Sequence, residues 1–123
     1  MTPKKSGLPD EVKGLMPLTP AVFFILLALA DGQKHGYAIM QEVADLSEGK
    51  FRMGPGTLYT TNQRLLDLSL IAEVAAVESG GDSRRRYYKL GREGRALLES
   101  EVARLESVVR VARGKTLGLR RAE

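Results

Sequence analysis

Two stretches hold the residue types best suited to chemistry on a polyanion. Gly54 to Asp67 (GPGTLYTTNQRLLD) places Leu58, Leu65 and Leu66 at helical spacing and leaves Thr57, Tyr59, Thr60, Gln63 and Arg64 off that face. Gly80 to Leu90 (GGDSRRRYYKL) has a turn composition followed by Arg84, Arg85 and Arg86 on a β-type segment. Hydroxyls and amides reach base edges or phosphates, and Gln and Arg can make two-pronged contacts with a base. Such a helix beside a basic hairpin is a layout for gripping duplex DNA. The bland alternative is a solvated helix face and a strand salt-bridged to Glu73 or Glu78. Three successive arginines alternate across a strand, so at least one should pack its stem on the inner or opposite face. Tyr59 has two readings, contact with nucleic acid or packing beneath the helix.

The charge agrees with a polyanionic partner. The 123 residues carry 19 Lys and Arg against 15 Asp and Glu, a net +4. From Lys50 to Lys89 there are seven basic residues (Lys50, Arg52, Arg64, Arg84, Arg85, Arg86, Lys89) and four acidic ones (Asp67, Glu73, Glu78, Asp82). This span therefore holds +3 of the total, and Lys50 and Arg52 join the candidate phosphate contacts. There is no cysteine, which excludes disulfides and thiol chemistry and suits a cytoplasmic location. The longest apolar run, Ala21 to Ala30, is too short to cross a membrane, and the lead before it lacks a signal peptide's cleavage pattern.

The elements that must position these residues follow from the pattern. Thr19-Pro20 opens a first helix, apolar nearly all round, that stops at Asp31-Gly32. A second helix starts near His35-Gly36 and ends at Glu48-Gly49. Lys50 to Met53 alternates with a period of two, suiting a short strand or extended link. The third helix begins after Gly54-Pro55-Gly56, with Thr57 as cap. A hairpin follows, Ile71 to Glu78 and Arg84 to Leu90, turning at residues 79–83. A long last helix runs from about Arg92 to Arg113, with Gly114 as its stop. The fold expected is mainly α with a small β-hairpin: a winged helix-turn-helix domain over residues 19–90 and a C-terminal dimerisation helix over 91–115. Residues 1–18 read as a flexible arm and 116–123 as a flexible tail.

The last helix spaces Leu98, Val102, Leu105, Val109 and Ala112 by four, three, four and three, a heptad seam that needs a partner. Packing back on the first helix is the alternative, but the apolar surface exceeds what one small domain needs. A homodimer is expected, with Phe23, Phe24 and Leu27 of the first helix supplying the rest of the interface. His35 is the only histidine, so a zinc site is not expected and a capping role for the second helix is. No cofactor or metal is called for. Nor is an enzyme, since the chain has no cysteine nucleophile, second histidine or nucleotide-type glycine loop.

Five motifs in order, Leu26 to Gly32 (LLALADG), His35 to Ile39 (HGYAI), Gly54 to Tyr59 (GPGTLY), Arg64 to Leu66 (RLL) and Arg85 to Leu90 (RRYYKL), make the chain resemble the PadR-type transcriptional regulators from about Leu18 to Arg113. The resemblance implies a winged-helix homodimer, usually a repressor on pseudo-palindromic operators and often responsive to a phenolic or other small ligand. It also allows a phosphate bond from the Tyr37 hydroxyl. Any effector is expected between the chains, lined by Phe23, Phe24, Leu27, Leu105 and Val109, although a dry dimer core serves as well. Two positions depart from the pattern. Asn62 stands where an aliphatic residue is expected, and Ser69 where a helix end asks for glycine. These departures leave two alternative functions in play: a protein-interaction module resembling an antirepressor, and a non-specific architectural DNA binder.

Overall fold

A computed structural model describes residues 8–75 and 85–122. The elements are α1 (Asp10–Lys13), α2 (Pro20–Ala28), β1 (Lys34–His35), α3 (Gly36–Leu46), α4 (Pro55–Asp67), β2 (Ile71–Val74), β3 (Tyr87–Leu90) and α5 (Arg92–Ala122). The turn at 79–83, together with Glu78 and Arg84, lies outside the described residues.

The helix limits follow the local chemistry. Thr19 Oγ1 accepts the Val22 N–H at 3.3 Å, and Pro20 occupies the first position of α2. Carbonyls at the far end of α2 are met by cations: Lys34 donates to Ala28 at 2.8 Å and Arg95 to Ala30 at 3.1 Å. His35 caps α3, its Nδ1 accepting the Ala38 N–H at 3.2 Å. Both α3 and α4 end on a left-handed residue that is not glycine, Glu48 at φ 56° and Ser69 at φ 61°. After α4 the Ser69 N–H donates to the Leu66 carbonyl and the Leu70 N–H to the Leu65 carbonyl, both at 2.9 Å.

The strands form one antiparallel sheet in the order β1-β3-β2, with His35 opposite Tyr87, Lys34 and Glu73 flanking Tyr88, and Ile71 opposite Leu90. The core beneath it gathers Ile25 and Leu26 of α2, Leu29 just after it, Ile39 and Val43 of α3, Leu65 of α4, Leu70, and Leu97 of α5, all essentially inaccessible. Helices α3 and α4 with the sheet make the expected winged helix-turn-helix, and α5 extends from it. Gly36 admits the close crossing of α3 and α4, since a Cβ there would sit 3.2 Å from Leu58 Cδ2.

Five expectations need correction. Helix α4 starts at Pro55 with Gly54 as its cap, so Thr57 lies inside the first turn and does not cap it. Residues 8–18 are not a loose arm: Leu8 and Val12 are buried in the core, and the Leu18 N–H donates to Glu101 Oε2 at 3.0 Å. Glu101 is only 2% exposed and takes a two-pronged contact from Arg104 at 2.8 and 2.9 Å, which keeps its carboxyl below the usual range. Lys50 to Met53 forms no strand. The Ser47 hydroxyl donates to the Phe51 carbonyl and accepts its N–H, and the Phe51 ring stacks on Phe24 at 6.0 Å, while Lys34–His35 takes the strand place beside β3. The last helix passes through Gly114 to Ala122, so that one glycine's cost of about 1 kcal/mol is outweighed by its helix-forming neighbours. Leu98 is 5% exposed and belongs to the chain's own core, because a heptad position can face either the home domain or a partner.

Candidate nucleic-acid interface

Helix α4 is built to show one face. Leu58, Asn62 and Leu65, at i, i+4 and i+7, turn inward, and Thr60 lies on the opposite side with Thr57 and Arg64 to one flank and Tyr59 and Gln63 to the other. Thr57, Tyr59, Thr60 and Arg64 are exposed and Gln63 is half-buried. This is the polar face expected from the sequence.

The return strand begins at Tyr87 and not at the arginines, and the two described wing arginines just before it turn opposite ways. Arg85 turns toward β1, its Nη1 2.7 Å from His35 Nε2. Arg86 turns toward β2, donating from Nε and Nη2 to the two Glu73 carboxylate oxygens at 3.0 and 2.9 Å. Its guanidinium lies 5.9 Å over the Tyr88 ring and meets the Tyr59 hydroxyl of α4. The pairing holds Glu73 below the usual carboxylate range and holds Arg86 firmly charged. Arg86 is thus paired with a carboxylate, while Arg85 meets an imidazole ring. His35 meets an N–H donor at each ring nitrogen, that of Ala38 at Nδ1 and that of Arg85 at Nε2, and a neutral ring can accept from only one of them. Burial first, and the Arg85 charge second, push the His35 pKa below its ordinary 6.5. Whichever tautomer the neutral ring adopts, one of its N–H contacts is left without an acceptor.

His35, Gly36, Tyr37, Arg85, Arg86 and Tyr88 surround a cleft of about 280 Å³. Tyr37 is 60% exposed, and its hydroxyl accepts from Gln41 Nε2 at 3.2 Å. The start of α3, the wing and, through Tyr59, α4 therefore come together on one side. Lys50 and Arg52 are exposed but not part of this group; Arg52 lines a separate groove with Met40, Gln41, Ala44, Asp45 and Met53. Arg84 lies outside the described residues.

Sequence reasoning had His35 as a cap and missed its contact with Arg85, fifty residues away, which no local signal announces. Asn62 is 2% exposed, lies beside the Tyr88 hydroxyl, and leaves Oδ1 without a hydrogen-bond partner. That orphan costs roughly 1–3 kcal/mol. At the opposite end, α5 exposes Val102, Val108, Val109 and Val111 at 37–59%, with Ala112 exposed and Leu105 half-buried. Phe23, Phe24 and Leu27 are half-buried, Phe23 lying edge-on to Phe24 at 5.3 Å. Among the described residues no cluster of side chains could hold a metal, and no helix is long and apolar enough to cross a membrane.

An exposed polar helix beside a cationic wing defines a winged-helix DNA-binding regulator. Residues 25–100 match the model of the transcriptional regulator PadR-like family, and the chain belongs to that family. It is 37% identical over 91 residues to Transcriptional regulator Rv3488 of Mycobacterium tuberculosis, an alignment spanning 73% of this chain and 79% of that one. It is 41% identical over 86 residues to an uncharacterized 37.1 kDa protein in transposon Tn4556 of Streptomyces fradiae, covering 70% of this chain but only 23% of that much longer protein. Among solved structures, a PadR family transcription regulator of Clostridium difficile superimposes with a TM-score of 0.63 at 25% identity, over 80% of this chain and 99% of the other. Bordetella bronchiseptica BpsR, whose DNA binding is regulated by 6-hydroxynicotinic acid, superimposes with a TM-score of 0.60 at 26% identity, over 87% and 70%.

Proposed function

We propose that the chain acts as a homodimeric transcriptional repressor on a pseudo-palindromic operator. The observation that carries this reading is the exposed polar face of α4 set beside the Arg85–His35 cleft. On this reading Thr60 and Gln63 meet base edges, with Thr57, Tyr59 and Arg64 at the margins of the same groove. Arg85, Tyr37 and His35, gathered around one cleft, take a backbone phosphate as a shared acceptor. Arg84, Lys50 and Arg52 add charge near the duplex. Arg86 acts at one remove, since Glu73 occupies it.

The dimer seam is Val102, Leu105, Val109 and Ala112, with Phe23, Phe24 and Leu27 beside it. Leu98 drops out because its own core holds it. The exposure of Val108, Val109 and Val111 on one helix supports a partner there. A small aromatic effector fits between the chains against Phe23, Phe24, Leu27, Leu105 and Val109, and the likeness to BpsR supports that ligand class. DNA from immediately upstream of the chain's own coding sequence, titrated against a scrambled duplex, tests the proposal. Preference for the upstream DNA supports it; equal, salt-sensitive binding to both indicates an architectural protein, and no binding indicates an interaction module.

A further inference from the structure

A reading helix and a wing can cooperate on DNA only if their separation and angle are fixed. In this chain a continuous polar seam crosses between them. Tyr59 and Asn62 lie one turn apart on α4, Asn62 buried and Tyr59 exposed on the helix flank. The Asn62 amide lies beside the Tyr88 hydroxyl, and the Tyr59 hydroxyl beside the Arg86 guanidinium. Arg86 covers the Tyr88 ring and grips Glu73, which pairs with Tyr88 across the strands. Five side chains from α4, β2 and the β3 edge are joined in this way.

Asn62 is the informative member. It is buried between Leu58 and Leu65, where an aliphatic side chain would fill the same place without an orphaned oxygen. A buried amide retained at a cost in stability, with its one interaction directed at the wing, has the character of a group that fixes geometry.

We propose that Asn62 and Tyr88 are positioning residues that set α4 against the wing and so determine how well a target sequence is distinguished from other DNA. Their role is exerted through Thr60 and Gln63 on one side and Arg85 on the other, Asn62 being buried and Tyr88 lying at the back of the cleft. This rests on the DNA-binding reading above, but its geometric half can be tested without DNA. Asn62→Leu should raise the melting temperature yet lower the preference for upstream over scrambled duplex by roughly tenfold, about what one bidentate base interaction is worth, with scrambled binding unchanged. Tyr88→Phe, which removes only the hydroxyl, should lower the same preference, and the double variant should be no worse than either single one. Spin labels on Thr60→Cys and Lys89→Cys, specific because the chain has no cysteine, report the helix-to-wing distance in protein diluted with unlabelled chains. That distribution should broaden in Asn62→Leu and in Tyr88→Phe. Unchanged distance distributions, or full preference in both variants, would overturn the proposal. If the parent chain shows no preference for upstream DNA, the repressor reading fails, and the spin labels still decide whether Asn62 and Tyr88 hold the helix to the wing.

Discussion

The wing side and the C-terminal helix present opposite chemistry to their surroundings. On the wing side, polar groups are crowded together and incompletely satisfied: the His35 ring meets N–H donors at both nitrogens and can accept from one, and Asn62 Oδ1 is without a partner. On α5, the polar group nearest the core, Glu101, is fully engaged by Arg104 and the Leu18 N–H, whereas four valines stand exposed. A surplus of donors suits an anion, and a surplus of apolar surface suits another apolar surface. The unsatisfied chemistry of each face therefore indicates its partner better than its satisfied contacts do.

The joint between the two faces offers the severest test. Gly94, at the start of α5, lies so close to the Leu70 carbonyl oxygen that a Cβ there would collide with backbone. Gly94→Ala should cost about 3 kcal/mol or more and loosen the wing and α5 together, which urea unfolding would measure. A neutral result would mean that the two faces are not rigidly joined. Next, Leu105→Glu with Val109→Glu should leave the fold intact, give monomers in sedimentation and abolish binding to upstream DNA, because one half-site contributes too little affinity. A dimeric double variant would put the interface elsewhere.

On the wing side, Arg85→Ala should weaken upstream and scrambled duplexes by similar factors and lower the salt slope by about 0.9 for each phosphate it ceases to neutralise. Gln63→Ala should instead relax preference at one symmetric operator position by about 1–3 kcal/mol and leave the slope nearly unchanged. A swap of these two phenotypes would reverse the division between phosphate and base recognition.

The pH dependence carries two opposite signs. In the free protein the His35 pKa lies below 6.5, so the stability that neutral His35 provides is complete above about that pH and is lost as pH falls through it. Bound phosphate favours the imidazolium, so DNA binding takes up a proton and should tighten as pH falls from about 7.5 to 6. The groups facing the ring are Arg85 and the edge-on Tyr87, with Tyr37 and Arg86 in the same cleft. His35→Gln should flatten the binding profile, and parallel profiles for the two proteins would remove the phosphate from this cleft. The smallest effect concerns the end of α4. Ser69→Gly, at φ 61°, should stabilise by about 1 kcal/mol in thermal unfolding without altering DNA binding.

Much of the fold was legible in the sequence wherever the signal is local. Thr19-Pro20 and His35 announced helix starts, and Ser69 stood out because a left-handed residue was needed where no glycine stood. The winged-helix order and the polar face of α4 followed from periodicity. The heptad seam was readable as well, but spacing alone could not tell that Leu98 faces home while Val102 and Val109 face outward. The two-residue strand β1 exists only because β3 lies beside it, and the short helix α1 is held by burial of Val12. The Arg86–Glu73 pair was one of two partnerships offered, with Glu73 or with Glu78, and only the folded hairpin tells which forms. Contacts such as His35–Arg85 depend on the completed tertiary fold and leave no trace in neighbouring residues.

The central claim is that this chain reads a particular DNA sequence as a dimer. Equilibrium titration of the unmodified protein against its own upstream DNA and against scrambled duplex, across a series of salt concentrations, tests that claim most directly. The expected result is preference for the upstream DNA by about a thousandfold or more at physiological salt, with affinity for both duplexes falling linearly in log salt. Equal affinity for the two duplexes at every salt concentration would contradict it.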